Sequence, residues 1–170
     1  MIIWITGLSG AGKTTLARAL YKSIKKKSPN ILWIDGDELK KIIPTNGKHD
    51  QKSRIERYKK MINIIKFFYD QKINIIISTL YFNNFIFKNN KKIFKNYFQI
   101  YLKADINLLT KRDSRKVYSK NLKKKKPFLV GMDIKWNEPK KSNLVIENFF
   151  YKKINAIKKK ILIRLNNKLF

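Results

Sequence analysis

The fold is decided by the stretch IIWITGLSGAGKTT at residues 2–15. Its apolar start, residues 2–5, predicts a short buried strand, and the pattern over residues 14–27 predicts a helix. Between them GLSGAGKT, residues 7–14, matches G-x-x-x-x-G-K-[ST] in the strand-to-helix context that a phosphate-binding loop requires. The backbone N–H groups of such a loop converge on phosphate oxygens, and the positive end of the helix adds to the attraction. This stretch predicts binding of ATP or GTP.

Each side chain of the loop has an expected task. Lys13 is expected to reach the β- and γ-phosphates, and the hydroxyl of Thr14 is expected to hold Mg²⁺. The predicted triphosphate-binding residues are Gly7, Leu8, Ser9, Gly10, Ala11, Gly12, Lys13, Thr14 and Thr15.

Apolar runs alternate with helical patterns along most of the chain. Further strands are predicted at residues 31–34, 73–79, 97–102 and 143–147, and further helices at 53–69 and 150–165. Strands separated by helices indicate βαβ units. We therefore predict an α/β fold, with a five-stranded, mostly parallel sheet flanked by helices, as a single domain over residues 1–170.

The segment 114–137 breaks this alternation. It is rich in lysine, includes Arg115, Pro127 and Gly131, and has no clear periodicity. A connection of this length in a compact domain is usually a functional lid or a solvated loop. We expect a lid over about residues 113–137.

A carboxylate pair follows the second predicted strand, at Asp35 and Asp37. In a parallel sheet the carboxyl end of that strand faces the same crevice as the phosphate loop. Asp35 could accept a proton from an attacking hydroxyl or order waters on Mg²⁺, so Asp35 and Lys13 are the catalytic candidates, and Thr14 and Asp35 the metal candidates. Asp37 could act beside it or cap a helix beginning at residue 38.

Composition narrows the class of protein. The net charge is +29, with 44% hydrophobic and 13% aromatic residues, which excludes a disordered basic tail. The absence of Cys excludes disulfides and a thiol nucleophile.

Only six of the 40 basic residues are Arg, so we expect a solvated lysine surface rather than a nucleic-acid interface. No apolar run approaches the roughly 18 residues of a membrane helix. We expect a cytoplasmic protein with no membrane partner; its oligomeric state stays open, a homodimer included.

Three classes of function remain. The guanine-reading N/T-K-x-D of switch GTPases is missing, as is the strand ending in Asp-Glu that ATPase motors carry. A kinase for a small molecule is the main prediction. A polynucleotide kinase and a nucleotide-binding module without turnover are the alternatives.

With these residues in view, the chain resembles the adenylylsulfate kinase family over about residues 1–148. The resemblance is carried by GLSGAGKTT at 7–15, WIDGDELK at 33–40, SRIER at 53–57, RDSRKVY at 112–118 and VGMD at 130–133. It implies the three-layer fold of P-loop kinases and the cofactors ATP and Mg²⁺. It also implies transfer of the γ-phosphate to the 3′-hydroxyl of adenylyl sulfate, in sulfate assimilation.

The resemblance also implies roles for single residues. Asp37, Lys40 and Arg54 would contact the nucleotide acceptor, Arg112 would lie beside the ATP adenine, and the lid would close over both nucleotides. Two further acceptor-side residues depart from the family. They are Arg57, which replaces an expected Asn, and Leu129, which replaces an expected Phe.

Other departures lie on the same side of the site. Lys40 stands where the family has Arg, and the family's L-G-F-S and F-I-S-P are not visible at residues 46–49 and 80–83. Adenylyl sulfate is the first expectation for the acceptor. The alternative is another nucleotide, such as the cytidine diphosphoramidate of capsule synthesis, because Lys40 and Arg57 would suit an extra phosphate.

Overall fold

The computed structural model describes residues 1–43, 51–80, 84–113, 116–123, 128–147 and 149–169. Five strands and seven α-helices follow one another in these ranges. They are β1 (Ile2–Gly7), α1 (Lys13–Lys25), β2 (Ile31–Asp35), α2 (Gly36–Ile42), α3 (Gln51–Asp70), β3 (Asn74–Ser78), α4 (Asn84–Ile93), β4 (Tyr97–Lys103), α5 (Ile106–Arg112), α6 (Val117–Leu122), β5 (Leu144–Glu147) and α7 (Ile154–Leu169). A 3₁₀ turn, Phe149–Tyr151, lies between β5 and α7.

The strands form one sheet in the order β2-β3-β1-β4-β5. Every pairing in the sheet is parallel. The central strand β1 places Ile2 beside Ile75 of β3 and Tyr97 of β4. The predicted α/β fold with five strands is confirmed.

Both faces of the sheet are covered, which explains the unbroken apolar run of β1. Ile3 and Ile5 pack on one side with residues of α1 and α7. Ile2 and Trp4 pack on the other side with residues of α3. All six residues of β1 are buried, as expected of a strand in a parallel sheet with helices on both faces.

Three helices were not predicted, and the last helix begins later than expected. The missed helices are α4, α5 and α6; the third of these lies inside the segment assigned to the lid. Helices α5 and α6 have seven and six residues, too few to show a period. The C-terminal prediction of 150–165 divides into the 3₁₀ turn and α7.

A third apolar cluster, the lid cluster, joins the lid segment to the phosphate loop. Its buried members are Leu8, Leu109, Tyr118 and Val130. Leu8 belongs to the loop, while Tyr118 and Val130 belong to the segment assigned to the lid. The lid segment is therefore packed on the loop through side chains. Among the helices described, none has the length and apolar character needed to cross a membrane.

Candidate active site

The phosphate loop follows β1 with a backbone that requires glycine at two positions. Gly12 has φ +94° at the start of α1, and a Cβ there would lie 2.5 Å from Cδ1 of Phe149. Gly7 has φ +155°, and a Cβ there would lie 2.5 Å from the carbonyl oxygen of Leu102. Positive φ and close contact both exclude a side chain. The loop is thus shaped by glycine and pressed against β4 and the 3₁₀ turn.

The two polar side chains at the end of the loop point to different partners. Lys13 donates from Nζ to the carbonyl oxygen of Leu8 over 2.8 Å. Thr14 donates from its hydroxyl to Oδ2 of Asp35, also over 2.8 Å. The sequence predicted that Thr14 and Asp35 would face one crevice, and the structure brings them into contact.

Asp35 is held by three hydrogen bonds. Besides Thr14, the hydroxyl of Ser78 donates to Oδ2 over 2.9 Å, and the backbone N–H of Asp37 donates to Oδ1 over 2.8 Å. Trp33 in turn donates from Nε1 to the Ser78 hydroxyl over 3.1 Å. An ionised carboxylate offers about four acceptor sites, so most of those on Asp35 are occupied. The carboxylate is fixed in place.

Ser78 was not among the predicted residues. It ends β3, where the apolar run Ile75–Ile77 gives way to a hydroxyl, and it pairs with Asp35 across the sheet. A polar residue at the carboxyl end of a buried parallel strand is the signal that could have identified it.

The structure corrects the alternative given for Asp37. Helix α2 begins at Gly36, and its N-cap is Asp35, whose side chain accepts from the Asp37 N–H. Asp37 lies in the first turn of the helix, where its carboxylate pairs with Lys40 at 2.7 Å. Both side chains of this pair are about half exposed. Asp37 therefore does not cap the helix, and the pair is available at the surface.

A cleft opens beside this pair, between α2, α3 and the end of β3. It has a volume of about 70 Å³. Its lining residues are Trp4, Gly36, Leu39, Lys40, Ile43, Arg54, Arg57, Tyr58, Met61, Thr79, Leu80 and Ile86. Three of them, Lys40, Arg54 and Arg57, are cations that the sequence assigned to the acceptor. The structure brings all three to one cleft.

Arg54 connects this cleft to the lid. Its Nη2 donates to the carbonyl oxygen of Phe128 over 2.6 Å, and Phe128 has φ +65°. Burial, followed by the charge of Arg57, lowers the pKa of Arg54 from its ordinary value. The two guanidinium groups repel one another, so a bound anion would stabilise both.

Leu129 lies next to this contact but packs elsewhere. Its side chain is partly buried against the lid cluster. The neighbouring Phe128 is 48% exposed. In this structure the predicted acceptor residue Leu129 therefore contributes to the packing of the lid.

Asp113 organises the start of the lid helix α6. It accepts hydrogen bonds from the backbone N–H groups of Val117, Tyr118 and Ser119 over 2.7, 3.0 and 2.8 Å. Partial desolvation alone would raise the pKa of Asp113, but a hydrogen bond from the Ser119 side chain together with these backbone hydrogen bonds outweighs it and lowers that pKa to about 2. Lys116, the residue before α6, makes no side-chain hydrogen bond to the start of the helix. The Asp113 carboxylate caps the helix instead.

Tyr118 fastens α6 to the phosphate loop. Its hydroxyl donates to the carbonyl oxygen of Ser9 over 2.9 Å. Burial, with a smaller effect of Asp113, raises the pKa of Tyr118 to about 12. The hydroxyl therefore remains a hydrogen-bond donor at any pH at which the enzyme could work.

The second half of the lid segment is held by Asp133. Its Oδ2 accepts from Nδ2 of Asn121 over 2.6 Å and from the N–H of Leu129 over 2.7 Å. These hydrogen bonds lower the pKa of Asp133. Asp133 ties α6 to the loop that carries Phe128, a structural role for the G-x-D stretch of the sequence.

A second cavity borders the phosphate loop and has a volume of about 510 Å³. It is lined by Gly10, Gly12, Lys13, Thr14, Thr15, Arg112, Phe149, Phe150, Lys152 and Ile154. The guanidinium carbon of Arg112 lies 4.1 Å from the centre of the Phe150 ring. Arg112 thus lines the same cavity as the phosphate loop; its place beside the adenine of ATP stays a prediction. This cavity is lined by residues of the phosphate loop, whereas the cationic cleft is lined by residues of α2, α3 and the end of β3.

Several sequence predictions fall outside the described residues. They concern residues 46–49, which include His49, residues 81–83, Arg115, residues 124–126 and Pro127.

The residues at the loop are suited to Mg²⁺. A hydroxyl and a carboxylate, those of Thr14 and Asp35, converge within hydrogen-bond distance, and Mg²⁺ prefers such oxygen donors together with water and substrate phosphates. No group of three or more His, Cys, Asp or Glu is found in the described ranges. A cation here would therefore take most of its ligands from phosphate and water.

A parallel five-stranded sheet with a phosphate loop after β1 and an aspartate after β2 defines the class of P-loop kinases. The family model for adenylylsulphate kinase matches residues 1–147. The chain belongs to this family.

Individual relatives differ in the substrate that they are named for. The chain is 40% identical over 147 residues to a cytidine diphosphoramidate kinase of Campylobacter jejuni, covering 86% of this chain and 85% of that protein. It is 28% identical over 151 residues to an adenylyl-sulfate kinase of Bacillus velezensis, and this match covers 86% of this chain and 76% of that protein.

A solved structure confirms the fold. The APS kinase of Mycobacterium tuberculosis, in complex with AMPPNP and APS, superposes with a TM-score of 0.82 at 18% identity. The match covers 97% of this chain and 96% of that one. At this identity the likeness extends to the fold only.

Proposed function

We propose that this kinase transfers the γ-phosphate of ATP to a ribose hydroxyl of cytidine diphosphoramidate. The relative with 40% identity favours this acceptor over adenylyl sulfate, the first expectation from the sequence. By analogy with the family resemblance, the hydroxyl attacked is the one at the ribose 3′ position.

The observation that carries the proposal is the cationic cleft. Lys40, Arg54 and Arg57 line it together, and cytidine diphosphoramidate presents two adjacent anionic phosphorus groups. Planar guanidinium groups bind such oxygens in pairs, which an Asn at position 57 could not do. The departures from the family pattern thus lie where the acceptor would be bound.

Residues on the donor side would position the phosphates of ATP and neutralise their charge. The backbone N–H groups of the loop and Lys13 would hold the β- and γ-phosphates, and Thr14 and Asp35 would hold Mg²⁺, directly and through water. When bound, Mg²⁺ neutralises charge on the phosphates. In the transfer, the bond from the γ-phosphorus to its bridging oxygen would break and release ADP as the acceptor oxygen bonds to phosphorus, and the proton of the hydroxyl would pass to water.

Asp35 is better suited to organise this site than to remove that proton. Three donors already occupy its oxygens, and phosphoryl transfer makes little demand on a base because its transition state is loose. We propose that Asp35 positions Thr14 and the waters around the metal.

The lid has a physical purpose in the same scheme. It is joined to the donor loop through Tyr118 and to the acceptor helix through Arg54. A lid that contacts both substrates can exclude water until both are bound, which protects the γ-phosphate from hydrolysis.

The experiment is a coupled assay of ADP release with three acceptors compared side by side. Cytidine diphosphoramidate is expected to give the highest kcat/KM, adenylyl sulfate a lower value, and nucleoside monophosphates little turnover. ADP release only with monophosphates, or a clear preference for adenylyl sulfate, contradicts the proposal.

Adenylyl sulfate is the second candidate because the family model and most named relatives point to it. A polynucleotide kinase would instead bind DNA or RNA with a steep salt dependence, and a binding module would take up ATP without turnover. The same assay, with an oligonucleotide added as a fourth acceptor, separates these classes. We propose that the enzyme works in the cytoplasm, as one domain.

A further inference from the structure

Trp33, in the middle of β2, contacts both a helix and a neighbouring strand. The guanidinium carbon of Arg18 lies 5.7 Å from the centre of its ring, and the ring of Tyr21 lies at a centroid distance of 6.4 Å. Both of these residues belong to α1. The indole Nε1 donates to the hydroxyl of Ser78, at the end of β3, over 3.1 Å. These three contacts fix the orientation of the indole ring.

The hydrogen bond from Trp33 decides where the proton of Ser78 goes. A hydroxyl has one proton and two lone pairs, whereas an indole N–H can only donate. Trp33 occupies one lone pair of Ser78, and Oδ2 of Asp35 lies 2.9 Å from the same hydroxyl. Ser78 is only 2% exposed, so solvent offers its proton few other acceptors. The Ser78 proton is therefore directed to Asp35.

The same carboxylate oxygen receives a second hydroxyl proton, from Thr14, over 2.8 Å. Because Thr14 gives its proton to Asp35, lone pairs of its oxygen are left for another ligand. Hydroxyl and carboxylate oxygens are donors that Mg²⁺ prefers. Trp33, Ser78, Asp35 and Thr14 thus form one relay, in which each proton has a fixed acceptor.

This relay is built on one face of α1 and one face of β2. Thr14, Arg18 and Tyr21 are spaced i, i+4 and i+7, so they lie on one side of the helix, and Trp33 and Asp35 lie on one side of the strand. The helix face that offers the Thr14 hydroxyl therefore also covers the indole. Trp33 influences the phosphate loop in this way although it lines neither of the two cavities described above.

We propose that Trp33 is a positioning residue for the donor site. Acting through Ser78, it fixes the Asp35 oxygen that takes the proton of Thr14, and it thereby prepares the Thr14 and Asp35 oxygens for the metal that accompanies the nucleotide. Loss of the relay should weaken binding of the Mg²⁺ complex of ATP and spare binding of metal-free ATP. The inference rests on the proposed function only in that the donor is a nucleotide with Mg²⁺, and it does not depend on the acceptor.

Calorimetric titration without an acceptor tests the proposal. The wild type, Ser78→Ala, Ser78→Thr, Trp33→Phe and the double variant Trp33→Phe/Ser78→Ala are titrated with ATP, once with Mg²⁺ and once with EDTA. Trp33→Phe keeps an aromatic ring against α1 but removes the N–H. Ser142→Ala is the matched control, because that hydroxyl also accepts from a side-chain N–H, the one of Gln99, over 3.0 Å and just before β5. Binding of ATP in EDTA reports whether the phosphate loop is intact in each variant.

Ser78→Ala is expected to weaken binding of the Mg²⁺ complex about tenfold, because Asp35 loses a charged hydrogen bond, and Trp33→Phe about threefold. Both should bind metal-free ATP like the wild type. Ser78→Thr keeps the hydroxyl and should bind both forms normally, as should the control. The double variant should be no weaker than Ser78→Ala, since the indole acts through that hydroxyl.

Three results overturn the proposal while the kinase assignment stands. They are normal binding of the Mg²⁺ complex in Ser78→Ala, an equal loss with and without Mg²⁺, and a double variant in which the two losses add. An equal loss would mean that Ser78 supports the loop itself, and added losses would mean that Trp33 acts by another route. A wild type that binds no ATP refutes the kinase assignment, and the proposal with it.

Discussion

Thr14 donates a hydrogen bond from its hydroxyl to Oδ2 of Asp35 over 2.8 Å, which joins the start of α1 to the end of β2. Strand β3 lies between β1 and β2 in the sheet, and α1 crosses it to reach β2. The contact brings the last residue of the phosphate motif to a carboxylate two strands away. In the proposed mechanism this is where the metal and the transferring phosphate meet.

Lys13→Ala is expected to lower kcat about a thousandfold, because it removes the charge that follows the transferring group. The measurement is ADP release at saturating acceptor. Lys26→Ala, at the exposed C-cap of α1, is the control and should leave the rate unchanged. Full activity in Lys13→Ala would show that the loop is not the donor site.

Asp35→Asn is expected to lower kcat about a hundredfold and to raise the Mg²⁺ concentration needed for half-maximal rate. An amide has one acceptor oxygen, so it cannot serve both the two hydroxyls on Oδ2 and the Asp37 N–H on Oδ1. A Mg²⁺ titration of the rate checks this, with Asp70→Asn on the exposed end of α3 as control. An unchanged Mg²⁺ requirement would argue against Asp35 as the organiser of the metal.

Arg57→Asn introduces the residue expected from the family. Because a charged hydrogen bond is lost, KM for cytidine diphosphoramidate is expected to rise about tenfold or more, while KM for ATP stays the same. Initial rates with each substrate varied in turn measure both constants. The control is Lys59→Asn, which removes one positive charge from an exposed position on the same helix, outside the cleft. An equal rise in KM for cytidine diphosphoramidate in this control would show that Arg57 acts only through the overall charge of the protein.

The pH dependence of stability is expected to report on the cap of α6. The folded pKa of Asp113 is about 2, below its ordinary value of 3.8. Its stabilising effect is therefore fully present above about pH 4 and is lost as pH falls towards 2. Melting temperatures across this range should show a smaller decline in Asp113→Asn than in the wild type. Melting temperatures that fall in parallel for the two proteins would contradict the role of the Asp113 carboxylate as the cap of α6.

The phosphate loop and Asp35 could be predicted because their signals are local. The loop motif lies between a strand and a helix, and Asp35 ends an apolar run. In a parallel sheet the carboxyl ends of the strands form one edge, so Thr14 and Asp35 were expected to face one crevice. The sequence suggested adjacent strands, whereas β3 lies between β1 and β2.

Contacts between distant segments could not be read in the same way. The bond from Arg54 to the Phe128 carbonyl joins residues 74 positions apart, and that from Tyr118 to Ser9 spans 109. Helix α6 shows no period because it has only six residues, and its start is fixed by the carboxylate of Asp113. The packing of Phe149 against Gly12 likewise joins segments far apart in the chain.

We propose that the donor loop and the cationic cleft hold two nucleotides end to end across Asp35. A crystal structure with a non-hydrolysable ATP analogue, Mg²⁺ and cytidine diphosphoramidate tests it most directly. We expect the γ-phosphorus to lie in line with a ribose hydroxyl of the acceptor, with the diphosphoramidate against Arg54 and Arg57. An acceptor bound away from this cleft, or a γ-phosphate directed away from Asp35, would contradict the account.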